Sequence, residues 1–330
     1  MKIGINGFGR IGRLAFRCAW ENPELEIVQV NDPAGDSTTW AHLLNFDSVQ
    51  GRWHRKAVEA KNYFTVENKS ISCSQNQKIE ETDWSNCDLV IDASGKMKTT
   101  ELLNAYLKQS VSQVLVTAPI KEEGILNLVM GVNHRLYDER RPAIVTASSC
   151  TTNCIAPAIK VVQEQFGIEH GSITTVHDIT NTQVVLDAGH PDLRRARSSG
   201  NNLIPTTTGS ARAIAQIFPE LKGKLNGHAI RVPLANASLT DCVFELRKKS
   251  TAETVNEALR EASIGELKGI LGYEDRPLVS TDYVGDPRSS IVDGLSTMVV
   301  NETQLKLYLW YDNEWGYANR VIDLVEYISS

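Results

Sequence analysis

Apolar residues alternate with small or polar ones from Lys2 to Asn6 and again from Glu26 to Asn31, while the stretch from Arg10 to about Asn22 carries its apolar residues at helical spacing. Strand, helix and strand in that order make a βαβ unit. The apolar runs Asp88–Asp92, Gln113–Thr117 and Ala143–Ala147 read as further buried strands, which predicts an open parallel sheet with helices on both faces. From Thr151 to about Phe166 the pattern is helical. The texture then changes to longer β-rich stretches, Gly171–Asp178, His228–Pro233, Ser238–Leu246 and Gln304–Tyr311, for which antiparallel pairing is the simpler expectation. Between them, Ile179–Thr208 is polar and too long for an idle connection. Glu314–Ser330 reads as an amphipathic helix through Val321, Leu324, Val325 and Ile328, expected to pack back on the first domain. The predicted organisation is an α/β domain over 1–149, completed by helix 314–330, and an α+β domain over 150–313 with a mostly antiparallel sheet.

A length of 330 residues supports two domains. With 42% hydrophobic and 22% charged residues and no apolar run of bilayer length, no membrane association is expected. The start of the chain has no secretory pattern, so a cytoplasmic location is expected. A net charge of −6 argues against nucleic acid as a partner, because such binding needs a basic surface. The six cysteines are scattered, and in a reducing compartment most of them read as small buried residues.

Gly7, Gly9 and Gly12 form G-x-G-x-x-G between the first strand and the first helix, and Asp32 ends the second strand 20 residues after Gly12. The glycines permit a tight turn and close approach to a pyrophosphate, and the helix N-terminus offers N–H groups to the anion. A carboxylate at Asp32 accepts hydrogen bonds from ribose hydroxyls and repels an extra phosphate. The reading is therefore a Rossmann-type domain binding NAD in preference to NADP.

The octet Ala147-Ser-Ser-Cys-Thr-Thr-Asn-Cys154 sets Cys150 among four hydroxyl side chains. At the start of a helix its thiol is favoured as thiolate. The seven histidines show no paired spacing with these cysteines, so no metal site is expected. A thiolate nucleophile calls for an imidazole, and His177 closes a predicted strand; spacing alone does not join the two.

Gly4–Arg13, Ala147–Cys154, Asp192–Arg197, Pro205–Gly209, Arg231–Pro233 and Trp310–Tyr317, in this order, resemble the phosphorylating glyceraldehyde-3-phosphate dehydrogenase family from Met1 to about Leu324. The resemblance implies a homotetramer acting on glyceraldehyde 3-phosphate with inorganic phosphate. In it, Cys150 matches the acylating cysteine and His177 its base. Ser149, Thr151, Thr208 and Gly209 match the pocket for the attacking inorganic anion; Thr180, Arg195 and Arg231 match the ligands of the substrate or cofactor-side anion site. Arg10, Ile11 and Asp32 match adenosine and pyrophosphate contacts, Thr117 stands near the nicotinamide ribose, Asn313 orients the carboxamide, and Tyr317 backs the ring. The segment Ile179–Asn201 is expected at a subunit contact.

Asn31–Trp53 looks most like a branch associated with arsenic-resistance transporters, in which arsenate replaces phosphate and an arseno-phosphoglycerate is exported. The erythrose-4-phosphate branch fits less well, because it lacks the pair Thr208-Gly209. A redox sensor using Cys150, or a protein that only retains NAD, leaves the aldehyde and anion sites unexplained. Three departures from the family pattern stand out. Pro33–Asp36 follows Asp32, and Asp187-Ala-Gly-His190 lacks a Leu-Pro pair; both bear on cofactor preference. Asp178 follows the histidine where small or apolar residues are common.

Overall fold

The computed structural model describes residues 1–330. It divides into two compact units, Met1–Ser149 with Ala318–Ser330, and Cys150–Tyr317.

The first unit is built on a nine-stranded sheet. Lys2–Asn6 lies centrally, flanked in parallel by Glu26–Asn31 and Leu89–Asp92. Gln113–Val116, Ile144–Thr146 and Leu126–Asn127 extend it in parallel on one side. On the other side Lys69–Ser74 pairs in parallel with Glu26–Asn31, and an antiparallel edge of Tyr63–Val66 and Ala57–Ala60 follows. Of the strands predicted from continuous apolar runs, Leu89–Asp92 and Ile144–Thr146 are buried throughout and Gln113–Val116 is buried after its first residue, as expected for a sheet covered on both faces. One cluster gathers Trp84, Val90, Leu103, Tyr106, Val114 and Ile144. A second, aromatic cluster joins Phe8, Phe16, Trp40, Trp53 and Phe64, with ring centroids 5.7–6.1 Å apart. Trp40 and Trp53 belong to the stretch Asn31–Trp53, which is thus partly explained by packing.

The glycine turn between Lys2–Asn6 and helix Arg10–Trp20 is sterically dictated. Gly7 has φ +91°, and a Cβ on it would lie 2.4 Å from the backbone nitrogen of Ser94; one on Gly12 would lie 2.0 Å from the Gly7 carbonyl oxygen. No side chain larger than hydrogen fits at either place.

The second unit contains a mixed sheet in the order Ile204–Thr207, Leu225–Arg231, Ile168–His177, Ser238–Leu246, Gln304–Tyr311, Ser290–Asp293 and Leu271–Glu274, with Met298–Val300 also paired to Gln304–Tyr311. Ser238–Leu246 alternates buried and half-buried residues along its length, the signature of a strand with one face on a core. Most pairings are antiparallel, but Ile168–His177 runs parallel to Leu225–Arg231, and Leu271–Glu274 parallel to Ser290–Asp293. The first exception differs from the antiparallel expectation and has a physical cause. Residues 178–224 intervene, long enough for the crossover that parallel neighbours require. Its result is that His177 and Arg231 come level at the carboxyl ends of neighbouring strands. Helix Cys150–Gln165 packs against Ser290–Asp293, Gln304–Tyr311 and the helices Ser210–Ile217 and Ala252–Ile264.

Candidate active site

In the first unit the predicted cofactor residues gather at the carboxyl ends of the parallel strands. Gly7, Gly9, Arg10, Ile11 and Gly12 follow Lys2–Asn6, Asp32 follows Glu26–Asn31, and Thr117 follows Gln113–Val116. Helix Arg10–Trp20 starts at Gly9 with no side-chain cap, and a Cβ on Gly9 would meet nothing within 4 Å. Uncapped N–H groups beneath open space suit an anion. The Asp32 carboxylate accepts from Phe8 N at 2.8 Å and from Ala34 N at 2.9 Å, fastening the glycine turn while each oxygen keeps a lone pair. Arg10 pairs with Asp47, whose other oxygen accepts from the backbone nitrogens of Val49 and Gln50. Below the turn lies a buried network that the sequence did not reveal. Asn6 donates to Asp92 at 3.2 Å, Tyr106 donates to the same carboxylate at 2.7 Å, and Asn31 donates to Asn6 at 2.8 Å. Polar residues ending apolar strands were its only signal. These residues fit a dinucleotide.

In the second unit Cys150 is the first residue of its helix. The chain reaches it from Ile144–Thr146 through Ser148, fully buried with φ +56°, and Ser149, half-buried. The Sγ of Cys150 lies 3.8 Å from Nε2 of His177 and 4.0 Å from the hydroxyl of Thr151, which meets the Tyr311 hydroxyl at 3.0 Å. Cys154, one turn on, is fully buried 3.8 Å from the Ser290 hydroxyl, and burial pushes its thiol up to about 12. Only the first of the two cysteines is placed to react.

Nδ1 of His177 is crowded. The Asp178 carbonyl oxygen lies at 3.0 Å, Nη1 of Arg231 at 2.7 Å and Oδ1 of Asp178 at 2.6 Å. Burial alone would lower the imidazole pKa; the Asp178 carboxylate and Cys150 outweigh it and raise the value to about 9. A thiol at a helix N-terminus beside such an imidazole can ionise and attack an electrophilic carbon.

Thr180 and Arg195 are joined through Thr182, whose hydroxyl meets that of Thr180 at 3.0 Å and accepts from Nη1 of Arg195 at 2.9 Å. Thr208 and Gly209 precede helix Ser210–Ile217; the Thr208 hydroxyl accepts from Ser210 N at 3.2 Å, and a Cβ on Gly209 would meet nothing within 4 Å. Arg231 reaches His177, and its buried Nε has no partner, leaving a donor for an anion. Asn313 donates to Asp178 at 2.9 Å and accepts from Ser238 at 2.9 Å. Tyr317 is buried, and burial, reinforced by the charge of Cys150, raises its hydroxyl pKa well above the usual value. Thr182, Ser238 and Tyr311 were not singled out from sequence; Tyr311 stands in the motif Trp310–Tyr317, whereas the other two carry no local signal.

Residues 1–100 match the family model described as glyceraldehyde 3-phosphate dehydrogenase, NAD binding domain, and residues 149–313 the one described as its C-terminal domain. The chain is 55% identical to glyceraldehyde-3-phosphate dehydrogenase 3 of Nostoc sp., over all of this chain and 98% of that protein. It is 49% identical to glyceraldehyde-3-phosphate dehydrogenase of Geobacillus stearothermophilus and 48% to glyceraldehyde-3-phosphate dehydrogenase 1 of Bacillus cereus, each over all of this chain and 98% of the relative. With both halves matched and full-length relatives at this identity, the chain belongs to the glyceraldehyde-3-phosphate dehydrogenase family and is an NAD-dependent oxidoreductase.

Proposed function

We propose that the chain oxidises D-glyceraldehyde 3-phosphate through a thioester on Cys150 and passes the acyl group to an inorganic tetrahedral oxyanion, phosphate or arsenate. The observation that carries this reading is Sγ of Cys150 at a helix N-terminus, 3.8 Å from Nε2 of His177. The thiolate adds to the aldehyde carbon while the His177 imidazolium gives its Nε2 proton to the alkoxide that forms, and the ring, now neutral, takes that hydroxyl proton back as the thiohemiacetal loses hydride. The bound nicotinamide supplies hydride acceptance. Arg195 and Arg231 hold the substrate phosphate with directed charge-assisted bonds, assisted by Thr180. Ser149, Thr151, Thr208 and the N–H groups after Gly209 hold the attacking anion, and the product is a mixed acyl anhydride. Gly7, Gly9, Arg10, Ile11, Gly12, Asp32 and Thr117 hold NAD, with Asn313 orienting its carboxamide and Tyr317 behind its ring.

Arsenate and phosphate present the same charge and shape to these donors. In this reading arsenate is a natural acceptor, and the arseno-phosphoglycerate formed is the species an efflux transporter exports. The exposed apolar side chains of Val185, Leu186, Leu193 and Leu203 suit packing against further copies in a homotetramer.

Steady-state kinetics with each anion varied at saturating aldehyde test the assignment. Thr208→Val is expected to raise the KM for the inorganic anion about fivefold and to spare that for the aldehyde, since one hydroxyl bond is lost. Arg195→Ala is expected to do the reverse, raising the aldehyde KM about tenfold or more by removing a charge-assisted contact. No NADH formation with arsenate as the sole inorganic anion would end the arsenate assignment.

The carboxylate of Asp32 is expected to enforce NAD over NADP. Asp32→Ala should narrow that preference at least about tenfold, because a like-charge repulsion is removed. The KM for NAD should also rise, because the bonds from Phe8 N and Ala34 N are lost with it. Equal use of both cofactors by the unaltered protein would show that Pro33 and the Ala188-Gly189 segment outweigh the carboxylate.

A further inference from the structure

Asp178 is the one acidic side chain in direct contact with His177, and it is 1% exposed. Strand Ile168–His177 stops at the residue before it, so the alternation of faces ends and its carboxylate turns back to the imidazole. Oδ2 accepts from Nδ2 of Asn313 at 2.9 Å. Oδ1 is buried and makes no directed hydrogen bond; its contact is the ion-pair approach to Nδ1 of His177 at 2.6 Å. A buried carboxylate oxygen in that position is costly unless the nearby ring carries positive charge.

Nδ1 cannot at once donate a proton and accept one. If it is bare it accepts from Nη1 of Arg231 at 2.7 Å; if it is protonated it donates to the Asp178 carbonyl at 3.0 Å, and Arg231 is left with that same carbonyl at 3.1 Å. The groups facing the ring are Cys150 from its helix, Arg231 from the neighbouring strand, the edge-on ring of Tyr311 at 6.2 Å, and Asp178. Arg195 adds positive charge near Arg231. Without Asp178 the only full charges around the imidazole, apart from the thiolate, are guanidinium groups, which oppose its protonation.

We propose that Asp178 is a positioning residue that keeps Nδ1 of His177 protonated against Arg231, so that Nε2 exchanges protons with Cys150, and that the same carboxylate fixes the amide of Asn313. The proton-handling and nicotinamide-orienting residues are thereby joined through one side chain. This rests on the roles given above to Cys150, His177 and Asn313.

Asp178→Asn keeps size and an acceptor for Asn313 but removes the charge; Asp178→Ala removes both. The rate of Cys150 alkylation by iodoacetamide is measured against pH in the full-length protein, and NAD affinity by fluorescence titration. With the charge gone, the imidazolium is held less well, so the positive charge that favours the thiolate is missing from the ring at neutral pH. Both variants are expected to shift the alkylation midpoint upward by about one unit, a roughly tenfold slower reaction at neutral pH, with the high-pH plateau unchanged. A folding defect would instead move the plateau. Asp178→Asn should leave NAD affinity unchanged, whereas Asp178→Ala should weaken it several-fold. An unshifted midpoint in Asp178→Asn overturns the proposed control of the imidazole. Unchanged NAD affinity in Asp178→Ala overturns the link to Asn313. Alkylation of the unaltered protein is the control: if it labels Cys150 and spares activity, the thioester reading fails instead.

Discussion

Cys150→Ser is expected to lower NADH formation from glyceraldehyde 3-phosphate by more than about 10³-fold while NAD affinity stays within a few-fold. The serine hydroxyl keeps the shape but is not ionised by a helix N-terminus and an imidazole 3.8 Å away, so addition to the aldehyde fails at its first step. The glycine turn that is proposed to hold the dinucleotide lies in the other unit and is untouched. Cys154→Ser is the control. That residue is sealed against Ser290 and the Leu309 carbonyl, and its replacement should leave the rate close to that of the unaltered protein. Mass spectrometry after mixing with aldehyde and NAD, without inorganic anion, should find the acyl group on Cys150 alone. Substantial turnover by the serine variant would refute the thioester route.

His177→Asn comes next in size, with a fall in kcat of about 10² to 10⁴-fold, the range that a positioned acid–base group supplies. Unlike loss of the thiol, this change should leave slow acylation that grows with pH, because the thiolate can still form without an imidazolium beside it. In the intact protein the imidazole, with its pKa raised to about 9, stays protonated through neutral pH and supports the thiolate there. Activity at neutral pH should therefore fall more than activity at high pH. A uniform fall across the pH range would remove the imidazole from proton transfer.

Sequence pattern alone located the central strands of the first unit to within a residue or two: alternation marked Lys2–Asn6 and Glu26–Asn31, and continuous apolar runs bounded by turn residues marked Leu89–Asp92 and Gln113–Val116. The antiparallel edge, Ala57–Ala60 and Tyr63–Val66, was not predicted; its strands are four residues long and half exposed, so neither period develops. Helix Ala252–Ile264 is also absent from the predicted elements, although Val255, Leu259 and Ala262 fall on one face and Thr251 caps its start. At the site, residue types suggested the roles of Cys150 and His177, but their contact depends on packing between a helix and a strand. Arg231 beside His177 was still less accessible, since it follows from a parallel register where antiparallel pairing was expected. Asp178 was visible as a departure from the family pattern, yet its reach to both His177 and Asn313 needed the strand end to be located.

That parallel pairing also governs when the centre comes into being. Arg231 and His177 are 54 positions apart, whereas helix Cys150–Gln165 can close its turns locally. A nascent or refolding chain can thus form the helix that carries the thiol well before the strands on either side of the crossover zip together, since closure of a long loop precedes any reward from the pairing. A chain at such a stage would carry its cysteine on a helix without the ordered imidazole and guanidinium, and so without the proton handling that the finished site provides.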